Sequence, residues 1–299
     1  PRVRRQRQMC IRDSVDTADT SSKQFPYGIR LYGENLTAND GIVHAGDYSA
    51  QNVNVSSNNI TISRAANAIW PVGTKNINVS QNTVLFNNSA YSTKDNVFGL
   101  RIENSTNAAI NANTINANNI PYVQNVIILD KSKGVNIAGN SLTGAKKHGI
   151  NLTSSSASIS ANTISGNKEN GIFCYKNSTM TTNKNRITGN KKHGIFVNEC
   201  KGKSKINGDT IKSNKQCGIA VQKGNNVTIN SAKISKSGKN GIYIFKKSKV
   251  TINKCTVSSN KKDGIYSTLS STTNIKKGTV SKNSGNGIYY TNKAKGSIN

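Results

Sequence analysis

The chain has 299 residues, 34% hydrophobic and 6% aromatic, and a formal net charge of +28. That apolar share is thin for two ordinary globular domains, yet the regular recurrence of Gly, Asn, Ser, Thr and Ile separates the chain from a featureless polar tract. No run of about 18 apolar residues occurs, so no membrane-spanning helix is expected.

Residues 1–14, PRVRRQRQMCIRDS, hold five arginines and none of the order that follows. QMCIRDS resembles translated sequencing-adaptor read-through, so this segment is expected to be artefactual or disordered. A basic arm for nucleic acid or anionic lipid is the competing reading. Residues 15–27 read as a lead-in, and residues 28–299 as one repetitive domain.

In the first half, Asp40-Gly41-Ile42, Asn67-Ala68-Ile69, Phe98-Gly99-Leu100 and Gln124-Asn125-Val126 open successive coils at steps of 27, 31, 26 and 24 residues. Longer steps imply longer turns, which place a specific cleft most naturally within residues 28–148. From Gly149 the pattern tightens. Seven Gly-Ile pairs, ending at Gly287-Ile288, are 22 to 24 residues apart. A second apolar site follows at Ile159, Met180, Ile206, Ile229, Ile252, Ile275 and Ile298, and a third at Ile164, Ile187, Ile211, Ile234, Val257 and Val280. Each unit therefore offers three short β-branched runs separated by turn residues.

Residue chemistry narrows the choice of solenoid. Gly, Asn and β-branched residues are poor helix formers, which excludes helical repeats. Leucine-rich repeats are excluded because only Leu152 and Leu269 occur after residue 146. What remains is an all-β coil of three short strands, each pairing in parallel with its counterpart one turn later. Eleven coils are counted from Gly41, about 4.8 Å apart. Asn167, Asn190, Asn214, Ser237, Asn260 and Asn283 then form one turn column, suited to an amide ladder. The glycine before each isoleucine supplies a backbone place that a Cβ would hinder.

Asn162-Thr163-Ile164-Ser165-Gly166-Asn167 and Asn185-Arg186-Ile187-Thr188-Gly189-Asn190, each followed by Gly-Ile, resemble the repeat of the right-handed parallel β-helix proteins of the pectate-lyase-like superfamily. The resemblance covers about residues 28–299 and implies a right-handed parallel β-helix solenoid. The text is most similar to Asn- and Lys-rich β-helix proteins secreted by anaerobic gut bacteria. The superfamily holds lyases, hydrolases, epimerases, tailspikes and non-catalytic surface proteins. Its lyases use Ca²⁺ held by clustered acids with an Arg or Lys base, and its hydrolases use clustered Asp. No Asp-Asp pair or Asp-Pro-His-Glu motif is present here.

Two groups of residues are candidates for chemistry. Arg101, Glu103 and Asp130 are the catalytic candidates. Aligning Leu100 with Val126 sets Glu103 opposite Leu129 and Asn104 opposite Asp130, near enough for Glu103 and Asp130 to share a Ca²⁺ or face an uronic acid. An exposed ion pair with Arg101 is the structural alternative. Phe173, Phe196, Tyr243, Tyr266 and Tyr289 follow the Gly-Ile pairs and should point outward, either as a sugar-stacking face or as a ladder of rings shielding the sheet.

His148 and His193 stand two coils apart, too far to share a metal, and read as solvated turn residues; His44 is the third histidine. Five cysteines show no CxxC pair and fall at different points of the repeat, so they read as small buried residues without pairing.

Residues 146–299 hold 28 lysines and arginines against Glu169, Glu199, Asp209 and Asp263. Only Arg186 among the cations there is an arginine, which speaks for a solvated lysine face or a polyanion site rather than bidentate phosphate reading. The expected function is that of a secreted or cell-surface bacterial protein engaging acidic polysaccharide. No nucleic-acid partner or membrane span is expected, and no cofactor unless Ca²⁺ serves a lyase. The alternatives are a polysaccharide lyase or glycoside hydrolase, with its cleft on residues 28–148 or in chain beyond this piece, and a non-catalytic stalk or adhesin. Because Ser297-Ile298-Asn299 matches only the second strand of a coil, the chain is expected to stop in mid-repeat and to self-associate end to end.

Overall fold

The computed structural model describes residues 27–32, 50–62, 67–86 and 97–299, except 119, 121, 201 and 225, together with 8–9 and 15–16. Among the described residues every regular element is a β-strand. Coils from Asn67 to Ser235 contribute three strands each, and each strand pairs in parallel with its counterpart one coil away. The first column is an eleven-stranded sheet running from Tyr27–Tyr32 through Ile195–Asn198 to Ile288–Tyr290. The second and third columns join into one sheet. The join is visible in Lys249–Ser258 and Thr272–Ser281, which turn the corner without a break.

The core is a stack of inward β-branched side chains. Ile150, Ile172, Ile195, Ile219 and Ile242 are fully buried, as expected for the first column, and Ile164, Ile187, Ile211 and Ile234 fill the third. Parallel strands keep identical side chains in contact one coil apart, so a few residues per coil suffice for a continuous dry interior.

Three details of the expected register are corrected. The strand stacked on Asn67–Val72 is Tyr27–Tyr32, with Ile29 against Ile69, so Gly28-Ile29 takes the opening place assigned to Gly41-Ile42, which lies outside the described residues. Leu100 pairs with Ile127 rather than Val126, because the strand slips by one residue between Val123 and Asn125. In the second column Ile159 is followed by Thr182, not Met180, which sits two residues earlier against Ala157. Both Thr182 and Met180 are buried, and apolarity alone selected the wrong one. Within the N-terminal segment, Gln8–Met9 pairs with Asn54–Val55, and the rest of residues 1–14 lies outside the described residues.

The turns are held by side-chain ladders. The column Asn167–Asn190–Asn214 does what its spacing implies: the Asn190 and Asn214 amide oxygens each accept both the backbone N–H and the side-chain Nδ2 of the preceding coil, and the Asn167 oxygen accepts the Ala145 N–H. Ser237 interrupts it. Its N–H donates to Asn260 while its Oγ has no partner. A second ladder, Asn58–Asn82–Asn113–Asn140–Asn162–Asn185–Asp209, went unrecognised in the sequence. The glycines before isoleucine are needed for space, not for an unusual φ. A Cβ on Gly194 would come within 2.4 Å of Ile211 Cγ2 and 2.7 Å of the Gly218 carbonyl oxygen.

Candidate binding site

Strand alternation gives the first sheet an outward face, and one column on it runs Ile128, Asn151, Phe173, Phe196, Ala220, Tyr243, Tyr266, Tyr289. The aromatic members divide into two stacks at Ala220, which is buried. Phe173 and Phe196 lie 5.3 Å apart between ring centroids, as do Tyr243 and Tyr266, and Tyr266 and Tyr289 lie 5.4 Å apart. The tyrosine planes differ by only 10°. Ring faces are thus turned toward one another along the solenoid axis, the shielding arrangement, and ring edges face outward. Tyr289, at 43% exposure, is the most open of the three tyrosines.

Each stack widens sideways and ends in a lysine. Phe245 stacks on Tyr243 at 4.4 Å, and Lys246 Nζ lies 6.0 Å from the Phe245 ring. Phe173 and Tyr175 repeat the pattern at 5.4 Å, with Lys176 Nζ 5.5 Å from Tyr175. Beyond Phe245 the turns form a cleft of about 960 Å³, lined by Lys223, Lys246, Lys247, Leu269, Ser270, Asn292 and Lys293. Lys246, Lys247, Leu269, Ser270, Asn292 and Lys293 all have φ between 50° and 62°, so successive coils repeat the same tight left-handed turn and present their side chains in register. Glu199 Oε1 accepts from Lys223 at 2.9 Å; no carboxylate lines the cleft. The sequence could have shown this site only through the pairs Lys246-Lys247 and Asn292-Lys293, one repeat either side of Leu269-Ser270.

The catalytic candidates occupy a different part of the same sheet. With the corrected register Glu103 lies directly opposite Asp130. Glu103 is buried, and its Oε2 accepts from Arg101 Nε at 3.0 Å and Trp70 Nε1 at 3.2 Å. The Arg101 guanidinium lies 4.7 Å from the centre of the Trp70 ring, and that of Arg30 lies 4.9 Å from it. Arg101 and Glu103 thus pack around Trp70. Among the described residues no group of three or more His, Cys, Asp and Glu converges.

The histidines are not solvated turn residues. His148 and His193 belong to a ladder at the leading edge of the first sheet. His148 N–H donates to Asn125 Oδ1, Asn170 N–H to His148 Nδ1, His193 N–H to Asn170 Oδ1 and Cys217 N–H to His193 Nδ1. Burial holds both imidazoles down to a pKa of about 4; Glu169 partly opposes this at His148, and Lys239 and Lys192 reinforce it at His193. His44 lies outside the described residues.

The family described as "Right handed beta helix region" matches residues 41–203 and 155–298. Among solved structures, a periplasmic alginate epimerase mutant is similar at TM-score 0.65 and 12% identity, over 96% of this chain and 83% of that one. The A-module of an Azotobacter vinelandii mannuronan C-5 epimerase is similar at 0.60 and 14%, over 83% and 82%. Tailspike protein 3 of bacteriophage CBA120 is similar at 0.56 and 10%, over 96% of this chain and 49% of its own. No curated protein matches in sequence. No helix among the described residues is long and apolar enough to cross a membrane.

Proposed function

The chain belongs to the right-handed β-helix family, and from that premise we propose that it engages acidic polysaccharide on the outward face of its first sheet, at the cell surface or outside the cell. The observation that carries this reading is the lysine-lined cleft beside the Tyr243–Tyr266–Tyr289 stack. Lys246, Lys247 and Lys293, beside a Lys223 already paired with Glu199, surround a cleft without a lining carboxylate and favour a polyanion. Lysines act there as point charges, which suits carboxylates repeated along a chain better than one planar group gripped by a fork. The tyrosine edges offer hydroxyls at a step of one per coil, so sugar contacts there are hydrogen bonds along ring edges rather than stacking on ring faces.

The fold relatives named for alginate and mannuronan support a polysaccharide as the class of partner. The proposal is of binding without turnover, and the engagement of Arg101 and Glu103 with Trp70 supports that part of it. Affinity electrophoresis of the whole chain through alginate, polygalacturonate and a neutral β-glucan tests this. Retardation in the two polyuronides and free migration in the glucan are expected. Equal migration in all three gels would overturn the proposal, and unsaturated or shortened products would overturn the non-catalytic part of it.

A further inference from the structure

Cys174 and Cys200 are each the exception in their own column. Cys174 takes an inward place in the first sheet that Leu129, Leu152, Val197, Val221 and Ile244 fill on neighbouring coils. Cys200 stands in a hydroxyl ladder at the turn that follows. Thr74 N–H donates to Ser105 Oγ, Ser105 to Ser132, Ser132 to Ser155 and Ser155 to Ser178, and the ladder resumes with Gly224 to Ser248 and Ser248 to Ser271. Ser155, Ser178 and Cys200 each follow a residue at positive φ, Ser154, Asn177 and Glu199 respectively, so Cys200 occupies the serine position of its coil.

An aliphatic column and a serine column therefore each admit a cysteine, on adjacent coils, at places that touch. The two sulfurs lie 2.9 Å apart, and both side chains are fully buried. The separation is inside ordinary sulfur contact and less than 1 Å beyond a bond length of about 2.05 Å. Both cysteines are free thiols in the structure, as the absence of a pairing pattern implies, but spacing alone did not show that the two sites touch. A strand site and the turn site after the next strand are adjacent once the coil closes.

We propose that Cys174 and Cys200 form a disulfide that staples two consecutive coils. The two S–H bonds break, one S–S bond forms, and the two electrons and two protons pass to an external disulfide, which leaves as two thiols. The contact with the Cys200 sulfur, and then burial, hold the Cys174 thiol well above its ordinary range, so thiolate exchange is suppressed once the core is closed. The bond thus forms while the coils are assembling, in an oxidising compartment. Cys217 lies in the histidine ladder and Cys255 bonds to the Ile229 carbonyl, so neither competes.

The test is a thiol count on the full chain produced in an oxidising bacterial periplasm and alkylated in guanidinium without reductant. Of the five cysteines, three adducts are expected, with a digest peptide linking Cys174 to Cys200. Cys200→Ser restores the ladder residue and is expected to fold and to show four adducts. Reductant is expected to lower the urea midpoint of the parent and leave that of Cys200→Ser unmoved. Five adducts on the parent, or a linked peptide joining any other pair, would overturn the proposal.

Discussion

His148 Nδ1 accepts the backbone N–H of Asn170 at 3.3 Å, and so does for one coil what the Asn125 amide oxygen does for the coil before. An acceptor at Nδ1 requires the neutral imidazole with its proton on Nε2. His193 repeats the arrangement with Cys217 at 3.2 Å. Both side chains thus have a structural reason to refuse a proton.

Acid sensitivity follows. The unfolded chain protonates each histidine near 6.5, whereas the folded chain resists until about 4. Their contribution is fully present above pH 6.5 and is lost as pH falls to 4, about 3 kcal/mol for each imidazole. Urea midpoints measured from pH 7.5 to 4 should drop accordingly. The double variant His148→Asn and His193→Asn should flatten that slope, since asparagine serves the same ladder. A parent midpoint that stays level across the window would contradict this assignment.

Asp209 shows the opposite dependence. It ends the ladder that begins at Asn58, accepting from Asn185 N–H, Asn185 Nδ2 and the Thr182 hydroxyl, and burial raises its pKa. The folded chain holds that proton to higher pH than the unfolded one, so this group costs stability as pH rises through its folded pKa. Asp209→Asn retains the acceptor and removes the buried charge. An increase in stability at pH 7 on the order of 1 kcal/mol is expected from chemical denaturation, and a clear decrease would show that the carboxylate itself is required.

Gly194→Ala probes the close approach of coils. The added carbon meets the Ile211 side chain and the Gly218 carbonyl, both fixed by neighbours. A loss of about 2 kcal/mol or more in urea denaturation is expected, by the route that makes overpacked cores unstable. A neutral substitution would mean that adjacent coils can separate locally at no cost.

Much of this fold was legible because the repeat is written in side chains that must lie inside. Ile195 and Ile219 are found by spacing alone, and so is the Asn167–Asn190–Asn214 ladder. What spacing could not show is a polar residue in an apolar column. Thr182 escaped notice because its partner Asp209 lies 27 residues on, and His148 because a histidine among asparagines looks like a turn residue. The register of Glu103 was missed by one position, since the slip after Val123 leaves no mark in hydrophobicity. The candidate site was half legible. Tyr243, Tyr266 and Tyr289 stand out as outward residues, but ring orientation decides whether faces or edges meet a ligand, and packing alone sets that.

The lysine cleft carries the functional reading, and titration calorimetry on a polyuronide oligosaccharide tests it most directly. The parent chain is compared with the triple variant Lys246→Ala, Lys247→Ala and Lys293→Ala at two salt concentrations. The parent is expected to bind more weakly at high salt, and the variant to lose at least tenfold in affinity together with most of that salt dependence. Unchanged affinity and salt dependence in a folded variant would contradict the assignment of this cleft to an acidic polysaccharide.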